Sequence, residues 1–415
     1  MRIAIAAMDS RGGVQPYIGL ALGLQAAGHD VRLISPSNFA GMLAAAGVEH
    51  APLSGDVEAE ARRIGGEAHG SPLAGMRVAA REMEGRIATW TREAYAACAG
   101  VDLVLGGVGG MAVALSAAEK AGAPFIEAHL HPIGVVTDRY QGALFGSTPS
   151  VLGGVGRRLS HRATEMGVWM PFRGAMQKAR REVLGLAGSP RAHLANPVLY
   201  GFSRHVVPLP EQGLRRRHVT GYWFLPDDPA RILPPDLEAF LAASDRPVVS
   251  VGFGSMAGQD GAALTDLVLG AVRDAGVRAV LLSGWGDLAS GGEADDVFIA
   301  DALPHDRLFP RMAAVVHHGG AGTTGAGIRA GVPALVVPFG VDQPFWASRI
   351  AALGVGPRPI PRKRLTRGLL ADGLRAAVAD RAMADRAAVL GERVRGEDGV
   401  AAAVEVIERF GRQRR

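Results

Sequence analysis

Short apolar runs closed by glycine or a polar residue alternate with stretches of helical spacing along two blocks of this chain. In the first block Arg2–Met8 (RIAIAAM) reads as a buried strand, being short, apolar and closed by turn residues. Val14, Ile18, Ala21, Leu22 and Leu24 then fall on one face of a helix over Val14–Ala27. Gly28 ends it, since glycine is favoured at a left-handed C-terminal cap. Asp30–Ile34 is the next strand and Phe39–Ala46 a helix stopped by Gly47. Asp102–Leu105 and Pro124–Glu127 are two further strands around a helix over Ala112–Ala121. In the second block the expected strands are Pro247–Val251, Arg278–Leu282, Val297–Ala300, Ala314–His317 and Ala334–Val337. Helices are expected at Ala262–Ala275, Thr324–Ala330 and Phe345–Leu353. From Arg367 onward the composition is helical, with Gly391, Gly396 and Gly399 as breaks. Such alternation implies parallel sheets with helices on both faces. The expected fold class is α/β: two doubly wound domains in tandem, with ligands at the carboxyl ends of the strands and a site in the cleft between the domains.

A chain of 415 residues has room for two or three domains. Its 48% hydrophobic and 20% charged residues exclude long disorder. No run of about 18 apolar residues suggests a membrane span. The start, MRIAIAAMDSRGG, lacks the basic head and longer apolar stretch of a secretory signal. A single cysteine, Cys98, excludes an intrachain disulfide and a cysteine-built zinc site, and a cytoplasmic setting is expected. The net charge of +5 comes almost entirely from arginine. The clusters Arg157-Arg158, Arg180-Arg181, Arg215–Arg217 and Arg358–Arg367 read either as solvated surface or as attraction to an anionic partner. No nucleic-acid-binding motif accompanies them, so membrane contact is expected only as peripheral and nucleic acid is not a partner. Residues 54–101 and 132–195 break the alternation and read as long connections, either binding loops or packing decoration. Seven prolines between 208 and 247 mark a linker.

Three segments carry chemistry. His317-His318-Gly319-Gly320-Ala321-Gly322-Thr323-Thr324 follows a strand and opens a helix. Glycines let a ligand approach the backbone, and the outward N–H groups of a helix N-terminus with its dipole favour an anion, most simply phosphate. Gly252-Phe253-Gly254-Ser255-Met256 is a second glycine turn. It lacks the third glycine of a dinucleotide fingerprint and the spacing of a P-loop. Ser255 could donate to phosphate or be a plain turn residue. The third segment runs from Gly331 to Trp346 and places Asp342 and Gln343 where a strand meets a helix. Both can grip vicinal hydroxyls, and Asp342 can equally cap the helix.

HHGGAGTT followed by AGVPALVVPFGVDQPFWA resembles the nucleotide-sugar-dependent glycosyltransferases of GT-B fold, two Rossmann-like domains facing across a cleft. Sterol 3-β-glucosyltransferases and vancomycin-type antibiotic glycosyltransferases are the most similar. VTGYWFLP at 219–226, VGFGSM at 251–256, LSGWGDL at 282–288, LPHDRLFPRMAAVVHHGG at 303–320 and SRGGVQPYIGLALGLQAAGH at 10–29 extend the likeness. The resemblance implies an acceptor-binding domain over 1–215, a donor-binding domain over 216–397 and a final helix at about 398–415 packed back on the first. It implies an inverting transfer from a UDP- or dTDP-sugar to a small-molecule acceptor, without metal or cofactor, by a monomer or homodimer. By position, His318, Gly320, Ala321, Gly322 and Thr323 would hold the diphosphate, with Ser255 near it. Trp285, Leu303 and His305 would contact base and ribose, and Asp342 and Gln343 the sugar. Ser10, Arg11, Gly13 and Phe145 fall on the acceptor side.

One departure stands out. Relatives commonly read RGDV where this chain reads Arg11-Gly12-Gly13-Val14, and that aspartate is placed as the base activating the acceptor. Gly13 cannot take a proton. Asp9, His131 and His129 are the replacement candidates, unless the acceptor needs no base. The departure also admits a helper protein that has lost the base. A nucleotide-sugar epimerase or a phosphorylase could share a two-domain cleft, but the DQPFW turn argues against both.

Overall fold

A computed structural model describes residues 1–56, 72–147, 150–189, 196–210, 216–254, 261–282 and 296–414. In chain order the first sheet and its helices are β1 (Arg2–Ala6), α1 (Arg11–Ala26), β2 (Asp30–Pro36), α2 (Ala40–Ala46), β3 (Glu49–Leu53), α3 (Pro72–Ala97), β4 (Leu103–Gly106), α4 (Met111–Ala121), β5 (Phe125–His129), α5 (Gly153–Trp169), α6 (Arg173–Glu182), β6 (Val198–Tyr200) and β7 (Arg217–Val219). The second group is α7 (Pro235–Ala242), β8 (Val248–Gly252), α8 (Gly261–Ala275), β9 (Arg278–Leu282), β10 (Val297–Ala300), α9 (His305–Leu308), β11 (Ala314–His317), α10 (Ala321–Ala330), β12 (Ala334–Val336), α11 (Gln343–Leu353), α12 (Arg367–Ala379), α13 (Arg381–Arg395) and α14 (Gly399–Arg412). The strands form a seven-stranded sheet ordered β3-β2-β1-β4-β5-β6-β7 and a five-stranded sheet ordered β10-β9-β8-β11-β12. Every strand pair is parallel, so both units are doubly wound as the alternation implies.

The first unit comprises Met1–Gly142, Arg157–Pro226 and Glu397–Arg415, and the second Ala143–Gly156 and Asp227–Gly396. The first sheet therefore reaches beyond residue 215: Val198–Tyr200 pairs with Arg217–Val219 inside the stretch expected to be a linker. The C-terminal helix α14 packs on α1, where a Cβ added at Gly23 would lie 2.1 Å from a methyl of Val400. Ala403 and Ile407 are fully buried in this contact, and the Asp398 carboxylate accepts from the Ala401 N–H to start the helix. Gly391, expected as a break, lies inside α13 instead. It is needed for close packing, since an added Cβ would lie 2.7 Å from the Gly331 Cα.

The central strands are buried on both faces, and alternate residues turn to opposite layers. In the second unit Val249, Val251, Ala279, Leu281, Ala314, Val316 and Leu335 face α8 and α12 in one apolar cluster. A matching cluster of Ala4, Ala6, Val104, Trp90 and Ala114 fills the first unit. Two arginine clusters prove partly internal. Arg180 is fully buried and grips both Glu119 carboxylate oxygens at 2.9 and 3.1 Å, and it also donates to Ser116 and Gly188. Arg217 donates to the Gly134 carbonyl at 2.6 Å. Among the described residues, no helix is long and apolar enough to cross a membrane.

Candidate active site

In the first unit, Ala6 of β1 pairs with Gly106 of β4, so the loops that follow both strands leave the same end of the sheet. With the segment after β5 they enclose an open pocket lined by Met8, Asp9, Tyr17, Gly107–Gly110 and His131. Asp9 and His131, two of the three base candidates, thus share one pocket. The Asp9 Oδ1 accepts from the Ser10 backbone N–H at 2.6 Å and from the Ser10 hydroxyl at 3.2 Å. Tyr17 is buried and donates to the Ala128 carbonyl at 2.7 Å. Burial first, and the negative charge of Asp9 second, push its phenol well above the usual range. It therefore stays protonated and serves as a fixed donor.

His129 stands elsewhere. As the last residue of β5 it is 1% exposed and pairs through Nε2 with Glu127 at 3.0 Å. Burial opposes ionisation of Glu127. The hydrogen bond from His129 and the charges of His129, Arg216 and Arg217 outweigh it and hold the carboxyl below the usual range. His129 is thus buried against Glu127 and does not line this pocket, while His131 stands half-buried on its wall. Ser10 and Arg11 are exposed at the start of α1, and Gly13 is buried. Phe145 belongs to the second unit, where neighbouring Gly146 lies against Pro344.

The pocket owes its shape to glycines that the sequence reading passed over. A Cβ at Gly107 would lie 1.9 Å from the Tyr17 hydroxyl and 2.5 Å from the Ala128 carbonyl oxygen, and one at Gly109 would lie 2.4 Å from the Met8 carbonyl oxygen. The run Gly106-Gly107-Val108-Gly109-Gly110 after a buried strand was the available signal. Gly107→Ala is expected to cost about 1–3 kcal/mol by overpacking, read as a lower urea midpoint. An unchanged midpoint would contradict this packing.

In the second unit, His317 at the end of β11 pairs with Gly252 of β8 and Val336 of β12, which brings three strand ends together. The ring of His317 is buried, and its Nδ1 accepts from the Gly319 N–H at 3.0 Å. Gly319 has φ +93°, and an added Cβ would lie 2.7 Å from a Val336 methyl, so only glycine fits there. Helix α10 then starts at Gly320 with no side-chain cap, leaving the N–H groups of Ala321, Gly322 and Thr323 aimed outward at the positive end of the dipole.

The His318 ring lies beside this helix start. A Cβ at Gly320 would lie 2.6 Å from its Nε2 and one at Gly254 3.5 Å from its Cε1. Its Nδ1 is buried without a hydrogen-bond partner. Burial lowers its pKa from the usual histidine range, and Asp342 partly restores it. At neutral pH the ring is therefore uncharged, with one N–H to donate. Asp342 accepts from the Trp346 indole N–H at 3.0 Å and makes no capping bond to α11. Gln343 is buried, and its Oε1 accepts from the N–H groups of Phe339 at 2.8 Å and Gly340 at 3.2 Å. Only the amide nitrogen of Gln343 is thus left to address a ligand. Before them Val341, β-branched and 70% exposed, holds φ +56°, a conformation that costs such a residue energy and fixes the turn carrying Asp342. Leu303 and His305 are half-buried, and His305 stacks on Phe309 with ring centroids 4.3 Å apart. Its charge contributes to lowering the pKa of His317, which places it near the same strand end. Ser255 and Trp285 lie outside the described residues.

Two parallel-sheet units with these loops at their strand ends have the architecture of GT-B glycosyltransferases. Residues 3–130 match the glycosyltransferase family 28 N-terminal domain, and residues 289–407 match the erythromycin biosynthesis protein CIII-like C-terminal domain. The chain therefore has the GT-B fold and is similar to glycosyltransferases over both units. The sterol 3-beta-glucosyltransferase of Aspergillus clavatus is 35% identical over 423 residues, covering 99% of this chain and 30% of that protein. That of Debaryomyces hansenii is 34% identical, covering 96% of this chain and 26% of that protein. This chain thus spans less than a third of the length of these curated relatives. Among solved structures, the glycosyltransferase SnogD from Streptomyces nogalater superposes with a TM-score of 0.69 at 22% identity, covering 99% of this chain and all of the other. The glycosyltransferase VinC in complex with dTDP does so with a TM-score of 0.63 at 21% identity over the whole of both chains.

Proposed function

We propose that this chain is an inverting, metal-independent glycosyltransferase that moves a sugar from a UDP- or dTDP-sugar to a hydroxyl of a sterol or similar natural product. The observation that carries the donor half is the cradle after β11: an uncapped helix start, a buried and unpartnered His318 Nδ1, and Asp342 close enough to influence that ring. A diphosphate satisfies the helix N–H groups and takes a hydrogen bond from the uncharged imidazole, and the same donors stabilise the charge that grows on the leaving group. The sterol class follows the curated relatives, and the dTDP alternative follows the complex of VinC.

The chemistry balances without a cofactor. The acceptor oxygen bonds to the anomeric carbon from the face opposite the diphosphate. The carbon–oxygen bond to the diphosphate breaks and its electron pair leaves with the phosphate. The acceptor proton passes to a base in the first-unit pocket, where Asp9 and His131 both stand. Those two groups favour an active enzyme over a helper that has lost its base.

His318→Ala is expected to weaken UDP or dTDP binding by about 10- to 100-fold, the worth of one hydrogen bond to a charged group. Titration calorimetry with both nucleotides reads this directly. Unchanged affinity for both would overturn the donor assignment. Transfer from UDP- and dTDP-glucose to a panel of sterols and polyketides tests the reaction itself.

A further inference from the structure

The Asp9 carboxyl lies over the α-carbon of Gly13. A Cβ built on Gly13 would fall 2.3 Å from the Asp9 Cγ and 2.5 Å from its Cβ and Oδ2, far inside any real contact. The place where a side chain at position 13 would begin is already filled by the carboxyl of residue 9. Gly13 has no conformational reason to be glycine. It lies in the first turn of α1 with a negative φ, where glycine weakens a helix relative to alanine. It is also buried, so solvent exposure does not explain the choice. What glycine gives at this position is room.

We propose that Gly13 is a positioning residue which leaves its side-chain space to the Asp9 carboxylate, so that Asp9 acts as the acceptor base from the spot that a residue-13 side chain would otherwise occupy. The two positions exclude each other: a carboxylate can come from 9 or from 13, but not from both. Asp9 is held for the task by the Ser10 N–H and hydroxyl on Oδ1. Its other oxygen lies on the Gly13 side, and Asp9 lines the pocket. The titratable groups around it are Tyr17 from α1 and His131 from the loop after β5, with Arg11 adjacent in sequence. In the step itself Asp9 takes the acceptor proton as the acceptor oxygen bonds to the sugar and the diphosphate departs with the bonding electrons, and the proton then passes to solvent. This inference rests on the glycosyl-transfer reading for its chemistry, and its steric half stands apart from that reading.

The test is a set of variants of the full chain: Asp9→Asn, Asp9→Gly, Gly13→Ala, Gly13→Asp, and the doubles Asp9→Gly/Gly13→Asp and Asp9→Gly/Gly13→Ala. Asp9→Asn should lower kcat by about 10²-fold or more, with UDP and dTDP affinity unchanged and the acid limb of the pH–rate profile lost. Gly13→Ala should lower kcat although Asp9 is intact, and Gly13→Asp alone should bring no gain. Asp9→Gly/Gly13→Asp should recover about tenfold or more over Asp9→Gly, with the acid limb restored. A Gly13→Ala variant with wild-type kcat, or a folded double variant no better than Asp9→Gly, would overturn the proposal. The thermal midpoint reads the steric half even where no donor–acceptor pair gives turnover. Gly13→Ala should lower Tm in the presence of Asp9 and much less in the Asp9→Gly background. Equal losses in both backgrounds sink the proposal, whereas absent transfer with the Tm coupling intact sinks only the reaction assigned to the chain.

Discussion

Asp342→Asn is expected to lower turnover of the sugar nucleotide by about 10²-fold while leaving the affinity for free UDP or dTDP and the thermal midpoint nearly unchanged. The asparagine Oδ1 can still accept from the Trp346 indole, which is fully buried and takes its only hydrogen-bonding direction toward Asp342. What is lost is the charge, and a hydrogen bond from a sugar hydroxyl to a carboxylate is worth about 1.5–3 kcal/mol. The companion variant separates the two roles of this residue. Asp342→Ala also strands the indole N–H in the interior, which adds a stability loss of about 1–3 kcal/mol. Equal weakening of free nucleotide and sugar nucleotide by Asp342→Asn would show that the carboxylate addresses the phosphates or the turn instead of the sugar. The variant also removes the influence that supports His318 protonation, so its nucleotide affinity should depend less on pH than that of the wild type.

How far the fold could be read from the sequence depended on burial. The central strands, such as Ile3–Ala6 and Leu103–Leu105, are apolar throughout and end in glycine or polar turns, so composition alone marks them. Edge strands carry no such signature. Glu49–Leu53 (EHAPL) buries only its last residue, and Arg217–Val219 (RHV) buries none. Each is defined by pairing to a neighbour far along the chain, which no local pattern encodes. Helix α1 starts before its first apolar position because Arg11-Gly12-Gly13 contribute no apolar face. The two long connections read as loops or decoration hold α3, α5 and α6, whose charged and small residues blur the helical period.

The candidate site divides in the same way. The glycine turn at 317–324 was legible because backbone requirements leave a trace in residue type. The separation of His129 from His131 was not legible, since residues two apart share a face of a strand and only the end of β5 at His129 parts them. The use of Gln343 to tie its own turn was not, since its amide oxygen reaches backbone N–H groups whose position only the folded turn defines. The sequence likewise shows Gly13 only as a missing carboxylate. That Asp9 fills the space left by it is a fact of three dimensions.

Acid should loosen the donor cradle through His317. Its ring is buried, and burial first, with smaller contributions from His318 and His305, lowers its pKa to about 3. The unfolded chain binds a proton at this residue near pH 6.5 and the folded chain does not, so the unfolded state gains protons first as pH falls. Stability contributed here is therefore intact above about pH 6.5 and declines by about 1.4 kcal/mol per pH unit below it, until the folded ring also titrates. Between pH 7 and pH 5 the loss is about 2 kcal/mol. The geometry gives the loss a location, because Nδ1 must remain unprotonated to accept from the Gly319 N–H. Protonation cancels the bond that holds the glycine turn ahead of α10. His161, His218 and His318 are shifted in the same direction, so the wild-type slope alone does not isolate His317. His317→Asn does, because its Oδ1 can replace Nδ1 as the acceptor without titrating. The variant should be less stable than the wild type at pH 7, since the smaller side chain leaves space in the core, and the gap should narrow by about 2 kcal/mol by pH 5. Urea unfolding at the two pH values measures it, and a gap that stays constant would show that His317 is not the group through which acid acts.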